Sequence, residues 1–327
     1  MKRYGDGVPT KFFPAIKPYN KGYLNVGDGH NIYFEECGNP KGYPILFIHG
    51  GPGAGCSKDD RRFFDPKKWR IILHDQRGAG RSQPFCGIRE NTTWHLVKDI
   101  ELLLTELKVD RKVVLFGGSW GSTLSLVYAI AHPERVAGMV LRGIFLATSE
   151  SMRDYLGGVT YKYYPEVFER FIEQVPDNYK NSPAKYYYKQ MTRTKSKEYL
   201  ERLSYEWAHY ELAMLFLKEK SPEALDKVIK SFPYQSLSVL EAHYIANMCF
   251  LEDNYIIKNA RKIPADAPIT IVHGRYDVVC PPYQAWRLAK KLPWAKLHFV
   301  TAGHASCEPE IRKMLIAETD MMYYSVK

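Results

Sequence analysis

Hydrophobic positions along the chain follow two styles. Short apolar runs at Ile45 to Ile48, Arg70 to His74 and Lys112 to Phe116 each end in a Gly-rich turn and alternate with helical stretches. That alternation predicts a parallel sheet with crossover helices. Val140 to Ile144 reads as a further buried strand, after which the chain turns rich in Tyr, Lys and Glu with helical periodicity as far as about Asn259. From Ile263 the first style returns, with Ile269 to His273 as a strand, a helix near Tyr283 to Lys291, and Leu297 to Val300 as the last strand. The expectation is an α/β architecture, a mostly parallel doubly wound sheet with an inserted helical cap: core over 1–147, cap over 148–259, core again over 260–327. Two aromatic clusters in the cap, Tyr161 to Tyr164 and Tyr186 to Tyr188, read as helix packing.

Composition narrows the class. With 327 residues, 45% of them apolar, the chain has material for a substantial core, which excludes a disordered or fibrous protein. The formal charge is +10, yet basic residues alternate with acidic ones and never form a block of five, so a solvated basic surface is expected rather than nucleic-acid or membrane binding. Met1 to Pro14 carries Lys2, Arg3 and Lys11 without an apolar signal core, and no stretch approaches eighteen uninterrupted apolar residues. Six cysteines stand singly, with no C-x-x-C pair. A soluble, cytoplasmic protein without metal or cofactor is expected, its oligomeric state open.

The chemistry concentrates at Gly117-Gly118-Ser119-Trp120-Gly121, a G-x-S-x-G motif between the strand Lys112 to Phe116 and a helical run from Ser122 to Ala131. A sharp strand-to-helix turn strains the serine and projects its Oγ from the top of the sheet, and the glycines leave room for neighbouring backbone. A serine hydroxyl needs a base to take its proton and a carboxylate to hold that base in one tautomer. Asp277 follows the strand Ile269 to His273, and His304 follows Leu297 to Val300, giving the order Ser, Asp, His at C-terminal strand ends.

Other acids and histidines compete for these roles. Asp75 precedes the serine, within DQRGAGRS, and is expected to pin a turn through a nearby arginine; His49 belongs to the loop His49-Gly50-Gly51-Pro52-Gly53; His273 comes too early relative to Asp277. That Gly-rich loop and the residue after the nucleophile are expected to supply the oxyanion donors, the N–H groups of Gly51 and Trp120. In the cap, Leu203, Trp207, Tyr210, Met214 and Leu217 form one apolar stripe with Glu211 at its edge. Leu237, Leu240, Tyr244, Ile245 and Met248 form another, with Glu241 inside it. A buried carboxylate is costly alone, so each should meet a cap Lys or Arg or face a cleft where a cation arrives.

In this order the motifs resemble one family over nearly the whole chain, the proline iminopeptidases of the α/β-hydrolase fold. The likeness begins at Gly22-Tyr23-Leu24-Asn25-Val26-Gly27-Asp28-Gly29-His30 and runs through HGGPG, DQRGAGRS, Asn91-Thr92-Thr93-Trp94-His95 and GGSWGSTL. It ends with Gly274-Arg275-Tyr276-Asp277-Val278-Val279-Cys280-Pro281 and Gly303-His304-Ala305-Ser306-Cys307-Glu308-Pro309-Glu310. The resemblance implies a serine exopeptidase that releases N-terminal proline from peptides with a free amino end. It also implies that two cap glutamates hold the substrate's ammonium, matched here by Glu211 in Trp207-Ala208-His209-Tyr210-Glu211 and Glu241 in Glu241-Ala242-His243-Tyr244. The first element departs from the commoner W-S-x-W-E pattern at Ala208 and Tyr210. By the same resemblance Phe145 lines the pyrrolidine pocket and Cys280 lies beside the site, with core packing the alternative for both. An esterase or amidase on the same scaffold is the nearest rival, and a hydrolase-like binding protein the non-enzymatic one.

Overall fold

The computed structural model describes residues 9–327, so Lys2 and Arg3, at the start of the basic N-terminus, lie outside the described residues. Eight strands form one sheet: β1 (Asn20–Gly27), β2 (His30–Gly38), β3 (Tyr43–Ile48), β4 (Trp69–His74), β5 (Val113–Gly118), β6 (Val136–Arg142), β7 (Ile269–Gly274) and β8 (Lys296–Val300). Their order is β1-β2-β4-β3-β5-β6-β7-β8. The pairs β1–β2 and β2–β4 are antiparallel and every later pair is parallel.

The central strands β3 and β5 are apolar along their length because both faces are covered. Leu46, Ile48, Ile72 and Leu115 point to one face, packed with Leu96, Ile100, Leu124 and Val127 of helices α1 (Thr93–Glu106) and α2 (Trp120–Ala131). Their neighbours Ile45, Phe47, Ile71, Leu73 and Val114 point to the other, with Phe63, Phe64 and the C-terminal helix. The antiparallel hairpin β1–β2 has no such signature. Half of β1 is exposed, and β2 buries Glu35 and Glu36. Those carboxylates are held by Arg61 (2.6 Å) and Arg70 (2.6 Å), so two acids sit in an interior strand without violating the rule that buried charges are paired.

Between β6 and β7 the elements are helical: α3 (Ser149–Tyr155), α4 (Val159–Tyr163), α5 (Pro165–Ile172), α6 (Pro183–Arg193), α7 (Lys197–Ala213), α8 (Pro222–Lys230), α9 (Tyr234–Ala246) and α10 (Tyr255–Asn259), with short 3-10 turns between some of them. Their starts are written locally. Thr148, Ser196 and Ser221 each accept a first-turn N–H, and Pro165, Pro183 and Pro222 occupy the first helical position. Helix α9 is buried from Ser236 to Ile245 on every side, lying between the other cap helices and the sheet. It is fastened to the core by Ser236 Oγ donating to Gly53 O (2.7 Å) and Tyr244 Oη donating to Asn91 Oδ1 (2.8 Å). Helices α11 (Tyr283–Lys291) and α12 (Pro309–Val326) complete the core, while α10 packs on α2 and α11.

Parts of the cap differ from the periodicity. Leu217 and Met248 continue the two apolar stripes in sequence but are exposed, because α7 stops at Ala213 and α9 at Ala246 and the helical spacing no longer applies beyond them. Tyr186 and Tyr187 are buried, with Tyr187 stacked on Phe171 at 4.7 Å, whereas Tyr161 and Tyr163 are exposed. The strand expected at Val140 to Ile144 lies earlier and ends at Arg142.

The DQRGAGRS turn after β4 is held by ion pairs. Asp75 takes both Arg81 Nε (2.6 Å) and Nη2 (2.9 Å), as expected of a turn-pinning acid. Arg77, fully buried, forks onto Asp99 of α1 at 2.7 and 2.8 Å. Removing one member of such a pair strands the other charge in the interior. Arg77→Met is therefore expected to lower the unfolding free energy by about 3–5 kcal/mol, read from the urea midpoint.

Candidate active site

Ser119 occupies the one-residue turn between β5 and α2 with φ 57° and ψ −128°, a left-handed conformation that L side chains rarely adopt. The neighbouring backbone explains the glycines around it. A Cβ on Gly121 would sit 2.1 Å from Ile48 O, and one on Gly117 2.3 Å from Gly121 O. Gly50, at the end of β3, packs so closely that a Cβ there would lie 3.3 Å from Ser119 Cβ. The HGGPG loop and the serine turn are therefore in direct contact.

Gln76 joins the same two segments. Its amide donates to His49 O (2.9 Å), its Oε1 accepts from Trp120 Nε1 (2.9 Å), and its backbone N–H donates to His49 Nε2 (2.9 Å). The N–H groups of Gly51 and Trp120, the expected oxyanion donors, have no acceptor among the described residues. Two unsatisfied donors beside a strained serine are what a developing oxyanion requires. His49 itself is occupied as an acceptor for the Gln76 N–H, and burial lowers its pKa, so it is a structural, neutral ring.

His304 Nδ1 and Asp277 Oδ2 are 2.7 Å apart, and Asp277 Oδ1 accepts the Cys280 N–H at 2.8 Å. Burial would raise the Asp277 pKa. The charge and hydrogen bond of His304, with His273 and the Cys280 amide, outweigh it and hold the carboxyl below its ordinary value. Asp277 stays ionised and fixes the proton on His304 Nδ1, leaving Nε2 as the basic atom. His273 lies 3.6 Å from the same Asp277 oxygen, but its Nδ1 accepts from Ile144 N (3.1 Å) and its Nε2 donates to Cys280 O (2.8 Å). Burial lowers its pKa, so it braces the aspartate as a neutral ring.

The cap holds the His304 loop from outside. Leu215 O, just past α7, accepts the N–H groups of both His304 (2.8 Å) and Ala305 (2.9 Å). Glu308 grips the same junction, taking Gly303 N (2.9 Å) and Leu217 N (2.5 Å). Arg142, at the end of β6, donates from Nη1 to His304 O (2.8 Å).

Ser119 stands between two cavities. The outer one, of about 340 Å³, is also lined by Gly51, Arg142, Glu211 and His304. The inner one is narrow and more enclosed, lined by Gly51, Phe145, Tyr155, Glu241, Ile245, Cys249, Val279 and Cys280 as well as Ser119. All nine residues expected from the sequence thus fall at or beside these cavities, Trp120 through its amide. Phe145 and Cys280 reach the inner cavity rather than serving core packing alone.

Glu211 and Glu241 face each other here, and neither has an ion pair with a Lys or Arg of the described residues. Glu241 Oε2 accepts Trp207 Nε1 (2.7 Å), while Glu211 Oε2 and the buried Tyr155 hydroxyl, which adjoins Glu241, have no hydrogen-bond partner of normal geometry. Burial, and then the neighbouring Glu211, push the Glu241 pKa well above its ordinary value. Burial also raises Glu211, opposed by its hydrogen bond with Glu241 and by the charges of His304 and Arg142. Two carboxylates in such a site share a proton until a cation arrives. Sequence reasoning gave no role to Gln76, Arg142, Tyr155 or Glu308, and weighed His273 only to set it aside from the triad. The one local signal was their position, since Gln76, Arg142 and His273 lie at or just after C-terminal strand ends.

The comparisons with known proteins agree with this geometry. Residues 43–310 match the family model described as alpha/beta hydrolase fold. A curated relative from Leptolyngbya boryana, named a probable proline iminopeptidase, is 43% identical over 95% of this chain and 96% of its own length. The chain belongs to the proline iminopeptidase family. Other members are the Arabidopsis thaliana proline iminopeptidase, 40% identical over 95% of this chain and 81% of that one, and the Neisseria gonorrhoeae protein, 42% identical over 92% and 95%. Among solved structures, a Mycobacterium smegmatis proline iminopeptidase superposes with TM-score 0.62 at 16% identity over 94% of this chain and 98% of that one. A Burkholderia cenocepacia putative aryl esterase gives 0.64 at 18% over 94% and 100%. At such identities the likeness is one of fold.

The raised pKa values carry a stability consequence. A carboxyl whose folded pKa lies above its unfolded value contributes stability at low pH that is lost as pH rises through the folded pKa. Glu241→Gln removes that penalty, so the variant should melt higher than the parent at pH 8, with the gap closing towards pH 5; differential scanning calorimetry across that range measures it.

Proposed function

We propose that the protein releases N-terminal proline from peptides, with Ser119 as nucleophile, His304 as base, Asp277 as its orienting carboxylate, and the N–H groups of Gly51 and Trp120 as oxyanion donors. The observation that carries this reading is the cation-free carboxylate pair Glu211–Glu241 beside Ser119. A prolyl ammonium between them offers one N–H to each carboxylate and sets the first carbonyl carbon at Ser119, which limits cleavage to one residue. The inner cavity is bounded by Phe145, Ile245, Val279 and Cys280, an apolar wall suited to a compact ring. The names of the relatives support the same substrate.

The reaction then runs in two steps. Ser119 Oγ bonds to the prolyl carbonyl carbon as His304 Nε2 takes its proton, and the oxyanion is held by the two amides. Collapse breaks the C–N bond, and His304 returns the proton to the departing amine. Water, deprotonated by the same nitrogen, then cleaves the prolyl ester and restores Ser119. Substrates in this reading are peptides with a free N-terminal proline. Cysteines that stand singly support a cytoplasmic setting; no helix among the described residues is long and apolar enough to cross a membrane.

The test compares an unblocked prolyl anilide, its N-acetylated counterpart and a neutral ester. The expected outcome is cleavage of the anilide, loss of cleavage on acetylation, and no turnover of any of them by Ser119→Ala; efficient cleavage of the acetylated anilide would sink the aminopeptidase reading in favour of an amidase. The shared proton adds a pH dependence. An ammonium binds best when both glutamates are ionised, so kcat/KM for the anilide should rise with pH through the raised pKa of the pair. The neutral ester should lack that limb. Glu241→Gln is expected to lower anilide kcat/KM about 100-fold, the scale of a lost charge-assisted hydrogen bond in a dry site, and to affect the ester far less.

A further inference from the structure

The outer cavity has a two-sided chemistry that proline release does not require. Its cap wall is apolar and comes from three elements: Leu212, Leu215 and Phe216 at the end of α7 and beyond it, Val228 and Phe232 on and after α8, and Leu237 on α9. Leu212 and Leu237 are buried, but Leu215, Phe216, Val228 and Phe232 keep part of their surface uncovered. Apolar surface left open in a concave site gains from an apolar guest.

Facing this wall, next to Ser119 and His304, is Arg142. Among the described residues it has no carboxylate within ion-pair distance, and its one hydrogen bond runs from Nη1 to His304 O. The other charged side chains around the cavity are accounted for differently. Glu211 belongs to the carboxylate pair, Asp60 Oδ2 accepts Ser57 N (2.7 Å), and Lys220 lies over the Phe216 ring at 4.1 Å. A half-buried guanidinium with donors to spare, beside the scissile carbonyl, is suited to a planar anion. In a dipeptide the carboxylate is separated from the scissile nitrogen by one carbon, so the leaving residue carries its anion to this end of the cavity.

We propose that the outer cavity is a subsite for the residue after the N-terminal proline and favours prolyl dipeptides whose second residue is apolar, its side chain on the cap wall and its carboxylate on Arg142. This rests on the aminopeptidase reading above. Longer peptides present an amide instead of a carboxylate at Arg142 and forgo that contact. Acidic second residues gain nothing from the apolar wall.

The experiment measures kcat/KM for Pro-Leu, Pro-Leu-amide, Pro-Asp and the prolyl anilide in the full-length protein. Anilide turnover reports the aminopeptidase reading by itself, so its loss is distinguishable from failure of the subsite. The subsite predicts that Pro-Leu exceeds Pro-Leu-amide by about 10-fold or more, the scale of a hydrogen bond to a charged group, and exceeds Pro-Asp by a similar factor. In Arg142→Gln the Pro-Leu to Pro-Leu-amide ratio should fall to about one, with Arg142→Lys intermediate. Phe232→Asn should narrow the Pro-Leu to Pro-Asp gap while leaving the amide ratio intact. Equal cleavage of Pro-Leu and its amide by the parent protein overturns the proposal. So does a parallel loss on both in Arg142→Gln, which would mean that the arginine only positions the His304 loop. Should Arg142→Gln not fold, the parent ratios and Arg142→Lys decide the matter.

Discussion

Everything at the site hangs on how closely three backbone segments approach one another around Ser119. The end of β3, the turn after β5 and the start of α2 come together closely: Ile48 O lies 2.1 Å from where a Cβ of Gly121 would stand, and a Cβ on Gly50 would lie 3.3 Å from Ser119 Cβ. Ser119 sits at positive φ within this junction, and the cost of that conformation is offset by the packing of the central strands and α2. The same close approach brings the HGGPG loop beside the first turn of α2. Gln76 then locks the two together through His49 and Trp120, fixing the relative position of the free amides.

The second organising feature is electrostatic. Most buried charges in this protein are paired: Arg77 with Asp99, Glu35 with Arg61, Asp75 with Arg81. Glu211 and Glu241 are not. Two acids left together beside Ser119 without a basic partner among the described residues are an arrangement suited to an incoming cation. Arg142 is the complementary case, a half-buried cation with no carboxylate at ion-pair distance among the described residues, in the cavity that Glu211 also lines.

The cap is mechanically part of the catalytic apparatus. Leu215 O and Glu308 bind the segment after α7 to the loop that carries His304, so the helix bearing Glu211 is tied to that loop. Helix α9, with Glu241, is fastened to the HGGPG loop through Ser236. Glu211, Glu241, His304 and the HGGPG loop are thereby referenced to a common frame.

The sequence by itself determined the parts whose physics is local or periodic. The apolar runs of β3 to β7, the serine turn with its obligatory glycines, the helical insertion, and Asp277 and His304 at strand ends could all be read because each depends on neighbours in the chain. Glu211 and Glu241 stood out as acids in apolar stripes, though the stripes misled at Leu217 and Met248, where the helices had already ended. The hairpin β1–β2 was illegible, since Glu35 and Glu36 look like surface residues until Arg61 and Arg70 arrive from elsewhere in the sequence. Only the tertiary structure decided that the two cap glutamates meet without a cation, that Gln76 bridges the oxyanion loop to Trp120, and that Arg142 is left unpaired facing an apolar wall. Whether a charge is compensated is a property of distances between segments that the chain order does not encode, and this site is built from such distances.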